Sequence, residues 1–126
     1  MQPVNLFMLA TRQAEWLSAR QTSVAGNIAN ANTPGYKAVD VEPFEKVLSR
    51  SVSTLAATHA THFGAKAGEV SFRNREDDRT TATLPSKNTV VLEQELIKAG
   101  EVRRSFEMNT AIVKAFHRMM LMSVKG

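Results

Sequence analysis

Few residues in this chain have the types and spacing to do chemistry. There is no cysteine among the 126 residues, which removes thiolate nucleophiles, disulfide staples and thiolate metal sites. His59 and His62 could lie one turn apart on a helix, but two histidines without a nearby carboxylate or third ligand make a poor metal site. His117 stands off the apolar seam of its own segment, and no Ser/His/Asp order or glycine-rich phosphate loop is visible. The sequence therefore presents no catalytic, cofactor-binding or metal residues. Its densest chemistry is amide chemistry, in residues 27–38, which read NIANANTPGYKA. Asn tolerates the left-handed backbone and its amide can satisfy free carbonyls at a helix end, so Asn30 and Asn32 read equally well as C-terminal caps. Asn27 lies one turn before Asn30 on the same helix face, and the two amides form a donor and acceptor patch suited to a neighbouring backbone.

The formal charge of +4 invites a nucleic-acid reading. Residues 98–126 hold six Lys or Arg against two Glu and account for the whole excess. A basic helical DNA-binding module would rest on Arg103, Arg104, Lys114 and Arg118. Glu101 and Glu107 interrupt any continuous phosphate track, so a solvated or subunit-facing helix is the better reading.

These residues must be positioned by two helical ends. Leu6, Ala10, Gln13, Leu17, Gln21, Val24, Ile28 and Ala31 recur at spacings of three and four, predicting an amphipathic helix from about residue 4 to residue 31. Thr33 precedes proline and is pushed out of the α region, so the helix stops by about Asn32. Pro34 and Gly35 suit the centre of a type II turn. YKAVDV then alternates as a short extended piece, and PFEKVL adds a helical turn. At the other end Leu92, Leu96, Ala99, Val102, Phe106, Asn109, Val113, Phe116 and Met120 trace close to four heptads of an apolar seam. Glu93 and Glu95 near its start, and Lys114, Arg118 and Lys125 near its end, suit the dipole of one continuous helix.

Between Ser49 and Asn88 the large apolar residues are only Val52, Leu55, Phe63, Val70, Phe72 and Leu84. Six such side chains in forty residues cannot offset the ordering entropy of an independent domain. RNREDDRTT, residues 73–81, reads as a charged tip. The expected fold is mainly α: long terminal helices pair as an antiparallel, coiled-coil-like hairpin around a poorly ordered polar middle. As one domain, it divides into 1–48 (helix, turn and short extension), 49–88 (variable middle) and 89–126 (C-terminal helix). The N-terminus has no basic region followed by a long apolar run, and no stretch approaches the ~20 apolar residues that span a bilayer.

The run RQAEWLSARQTSVAGNIANANTPGYKA resembles the N-terminal signature of the bacterial flagellar axial proteins, the rod, hook and hook-associated family. NTVVLEQEL resembles that family's second hallmark, at the start of its C-terminal helix. The short length, the short middle and the spacing of Asp40 and Phe44 point to a proximal rod member; another rod or hook protein is the alternative. Gly26 stands where the family commonly has serine, and Val91 where it has aspartate, which moves the expected N-cap to Asn88 or Thr89.

The resemblance implies a structural protein, not an enzyme, with no cofactor. It is exported unfolded by the flagellar type III secretion apparatus without a cleavable signal. It then assembles helically in the rod of the basal body, within the periplasmic space, and transmits torque. The implied partners are further copies of the chain, other rod proteins, the FliE adaptor and the region of the membrane ring and export gate, without membrane insertion or nucleic acid. The motif and subunit-contact residues expected from this reading are Asn27, Ile28, Asn30, Asn32, Thr33, Pro34, Gly35 and Tyr36 in the first segment. Leu92, Leu96, Phe106, Val113 and Phe116 complete the set in the second.

Overall fold

The computed structural model describes residues 6–52, 71–77 and 83–126. Helix α1 (Leu6–Ala29) leads through a turn into strand β1 (Val39–Val41) and helix α2 (Phe44–Val52); strand β2 (Asn74–Glu76) and helix α3 (Leu92–Lys125) follow. At 1.5 Å per residue, α1 is ~36 Å long and α3 ~51 Å. The expectation of weak order in the middle falls largely outside the described residues, as do His59 and His62.

The two long helices run antiparallel, with contacts at every level of the pair. The Phe7 and Phe116 rings meet edge to face at 5.3 Å. One turn on, the Asn109 amide donates to Ala10 O at 3.0 Å and to Gln13 Oε1 at 2.9 Å. Arg20 reaches Glu101 at 3.3 Å, and Asn27 reaches Glu95 at 3.0 Å. From Val102 to Phe116 the expected seam holds: Val102 is buried, and Phe106, Asn109, Val113 and Phe116 are half-buried along the contact, whereas Met120, the last residue of the expected seam, is exposed beyond the end of α1.

The first turns of α3 depart from it. Leu92 and Leu96 are 45% and 58% exposed, while Glu95 and Lys98 are buried in their place. The inward face is thus rotated by roughly one residue, at ~100° per residue, because this end of α3 meets polar partners. On α1 the expected stripe keeps Leu17 and Val24 buried, but Gln21 is exposed and Ser23 and Asn27 join the inward face.

Strands β1 and β2 pair antiparallel, with Val39 opposite Glu76 and Val41 opposite Asn74. Backbone bonds from Glu42 N to Arg73 O and from Asp77 N to Ala38 O extend the ladder at both ends. Helix α2 begins after Pro43, which lacks the N–H that a first turn leaves unpaired anyway. It is fixed on α1 by the Trp16–Phe44 ring contact at 5.7 Å and by Trp16 Nε1 donating to Glu42 O at 2.8 Å.

The apolar core is thin: Leu17, Val24, Ala38, Val41, Val47, Val90 and Val102. Among the largest fully buried side chains of the described residues only Leu17 is apolar; the others are Glu95, Asn27 and Asn88. Leu17→Ala should therefore cost about 2–4 kcal/mol of stability in urea unfolding. Leu96→Ala should stay within about 0.5 kcal/mol, and equal losses would contradict the observed rotation of α3.

Candidate functional site

The turn after α1 is built by its sequence. Gly35 has φ +75° and Tyr36 N bonds Thr33 O at 3.3 Å, as a Pro34–Gly35 type II turn requires. Asn30 closes the helix end: its Nδ2 donates to Gly26 O at 2.8 Å, and its Oδ1 accepts from Thr33 Oγ1 at 3.1 Å. Carbonyls of the turn that follows are taken by a residue from far along the chain. Asn88 Nδ2 donates to the carbonyls of Asn30, Ala31 and Thr33 at 2.8–3.0 Å. Asn88 was expected to cap α3; instead it holds the turn that follows α1, while its Oδ1 accepts from Val90 N at 2.8 Å. Thr89, the other expected cap, accepts from Ala38 N at 2.8 Å. Val91 takes the N-cap position of α3 with no side-chain cap bond. Backbone bonds from Gly35 N to Ser86 O and from Thr89 N to Tyr36 O complete the seam between residues 35–38 and 86–89.

Behind this seam lies a buried polar cluster centred on Asn27, which has no exposed surface. Its Nδ2 donates to Val39 O at 2.7 Å and to Glu95 Oε2 at 3.0 Å. Its Oδ1 accepts from Val39 N at 3.0 Å and from the Tyr36 hydroxyl at 3.3 Å. Both hydrogens and both lone-pair directions of the amide are used. The amide is thus committed to partners within the subunit. The patch that should face another backbone faces this chain's own strand β1.

The cluster continues through ions. Lys98 donates to Glu95 Oε1 at 2.8 Å and to Asp77, so one ammonium joins two carboxylates from α3 and the end of β2. Burial alone would lower the pKa of the Lys98 ammonium. The hydrogen bonds and charges of Asp77 and Glu95 outweigh that and hold it above its ordinary 10.5. Nearby, Arg20 grips buried Asp40 through Nε at 3.2 Å and a second nitrogen at 3.3 Å. Arg20 also lies 5.7 Å from the centre of the Trp16 ring. No buried side-chain nitrogen or oxygen among the described residues lacks a partner.

Of the other expected residues, Ile28 and Tyr36 are half-buried, whereas Asn32, Thr33, Pro34 and Gly35 form an exposed loop. Leu92 and Leu96 lie on the outer face of α3; Phe106, Val113 and Phe116 face α1 and are not gathered with the turn. Sequence reasoning missed Arg20, Asp77 and Lys98. The spacing of Glu95 and Lys98 was a signal, since an i,i+3 pair of opposite charge shares a helix face.

Two outcomes follow from this geometry. Asn27→Ala should destabilise the free subunit by at least ~1–3 kcal/mol, because Glu95 and the Val39 backbone lose buried partners; unchanged urea stability would contradict the assignment. The elevated Lys98 pKa means that folding favours its ammonium. That stabilisation is fully present below pH 10.5 and is lost as pH rises through the folded-state pKa. Stability should fall on that alkaline limb, and Lys98→Met should flatten the limb while weakening the protein at neutral pH by roughly 3–5 kcal/mol.

Comparison with known proteins agrees with where this geometry concentrates. The sequence profile of the flagella basal body rod proteins matches residues 17–37, the end of α1 and the turn. The flagellar basal body rod protein FlgB of Agrobacterium fabrum is 46% identical, with 99% of this chain aligned to 96% of that protein. The FlgB of Cereibacter sphaeroides is 32% identical over 85% of this chain and 84% of its own length. With its paired terminal helices, its clamped turn and this near end-to-end similarity, the chain belongs to the FlgB family of flagellar basal body rod proteins.

Proposed function

We propose that this chain is a subunit of the proximal rod, exported unfolded by the flagellar type III secretion apparatus and assembled helically to carry motor torque. The observation that carries this reading is the 46% identity to a FlgB protein across 99% of the chain. The fold is compatible with the task. Two helices joined at one end by a hydrogen-bonded clamp transmit load along their length, because a fully satisfied polar cluster specifies one geometry. A thin apolar core also suits a chain that must cross an export channel without stable structure. The partners in this reading are further copies of the chain, other rod proteins, the FliE adaptor and the membrane ring with its export gate, on the periplasmic side. The role is structural and needs no cofactor. Leu92, Leu96 and the exposed loop 32–35 are the motif residues left available to neighbours.

Deleting the gene in its own bacterium should abolish swimming and yield basal bodies without a rod, with both restored by the wild-type gene. In a strain lacking the flagellar export apparatus, the protein should remain in the cytoplasm. Normal swimming after deletion would overturn the reading.

A further inference from the structure

Helix α3 carries two apolar stripes, and α1 covers only one of them. Val102, Phe106, Val113 and Phe116 make up the covered stripe. Met108, Ile112, Ala115, Met119 and Met122 also recur at spacings of four and three. At ~100° per residue this second stripe is centred ~120° around the helix from the first and runs for ~21 Å. Met108, Ile112, Met119 and Met122 are 65%, 47%, 60% and 62% exposed, and Ala115 is exposed with them. Apolar side chains scattered singly over a surface need no explanation, but five aligned along four helical turns form a contact surface.

The charge beside this stripe has one sign. Lys114, Arg118 and Lys125 fall within ~40° of one another, on the flank next to Met122. All three are exposed, and residues 108–126 contain no acid. Upstream, Glu107 bonds Arg103 at 3.4 Å and Glu101 bonds Arg20 at 3.3 Å, so both carboxylates are matched. The aliphatic stems of the cations can lie along the apolar stripe while their heads reach outward. Shape narrows the partner further. A stripe on one convex helix offers no pocket for an anchor side chain, and three of its five residues are methionines, which hold no fixed shape. A rigid protein surface would touch such a ridge along a line, whereas a lipid layer closes around it. An apolar stripe at the acyl boundary with its basic flank among lipid phosphates is the disposition of a helix lying in a membrane interface. No helix among the described residues is long and apolar enough to cross a membrane, so the contact is with its surface.

We propose that the outer face of α3, residues 108–125, is a binding surface for anionic phospholipid bilayers, on which the free subunit lies with α1 turned away from the lipid. The proposal does not rest on the rod reading, and its test needs no flagellum. The purified full-length protein would be sedimented with vesicles of phosphatidylglycerol and phosphatidylcholine at 3:7, and with vesicles of phosphatidylcholine alone. It should partition to the anionic vesicles and only weakly to the neutral ones. Lys114→Gln/Arg118→Gln should lower the partition coefficient at least tenfold, at about fivefold per cation. Ile112→Gln/Met119→Gln, which keeps good or neutral helix formers on an exposed face, should lower it to the level of the neutral vesicles with the helical circular dichroism unchanged. Lys37→Gln/Lys87→Gln removes the same charge from the exposed turn at the other end of the molecule and should change it less than twofold. No partition of the wild type to anionic vesicles would overturn the proposal. So would an equal loss in the Lys37/Lys87 variant, which would leave net charge as the cause, or full binding by the Ile112/Met119 variant. Self-association of the wild type that the Ile112/Met119 variant abolishes, without any vesicle binding, would assign the stripe to a protein contact instead.

Discussion

Asn27 sits where three elements converge, and its single amide sets their spacing. It belongs to α1, it pairs with both backbone groups of Val39 at the start of β1, and it donates to Glu95 of α3. Move any of these elements by an ångström and at least one of its four hydrogen bonds breaks, which in a site without solvent costs the full desolvation of the orphaned group. The turn between α1 and β1 must therefore return the chain to one position. Gly35 at φ +75° and the Asn88 clamp on the carbonyls of the turn after α1 achieve that return.

A core in which Asn27, Asn88 and Glu95 are among the largest buried side chains differs in kind from an apolar one. Apolar packing tolerates sliding between surfaces of similar volume, whereas a network of directional bonds has one arrangement that satisfies it. The ions follow the same logic. Lys98 joins Glu95 to Asp77, and Arg20 joins Asp40 to Glu101, so both strands are tied to the helix pair by charge. Buried ion pairs add little net stability, yet removing one partner is costly because it strands the other. Such a junction favours a defined shape over a large unfolding free energy, which suits a protein whose family builds rods.

The parts of this fold that are local in sequence could be read from it. Apolar spacing located α1 and the contact face of α3 from Val102 to Phe116, and Thr33-Pro34-Gly35 named the turn. The start of α3 could not be read that way. Leu92 and Leu96 keep the apolar period while Glu95 and Lys98 point inward, because the partners that make burial of a charge tolerable come from elsewhere: Asn27 is 68 positions away, Asp77 21. Spacing rules assume that charge faces water, and they fail where pairing over long range reverses that. Asn88 illustrates the same limit, since an asparagine just before a helix looks like its cap until the carbonyls of a distant turn prove to be nearer.

The Asn27 amide couples α1 to α3 across the buried cluster, and a double-mutant cycle measures that coupling directly. Unfolding free energies of the wild type, Asn27→Ala, Glu95→Gln and the double variant would be compared at neutral pH. Residues in direct contact within one network show interaction energies of about 0.5–3 kcal/mol. A coupling in that range is expected, with the second substitution costing clearly less once the first is present. Strict additivity of the two losses would show that the amide and the carboxylate act independently, and would contradict it.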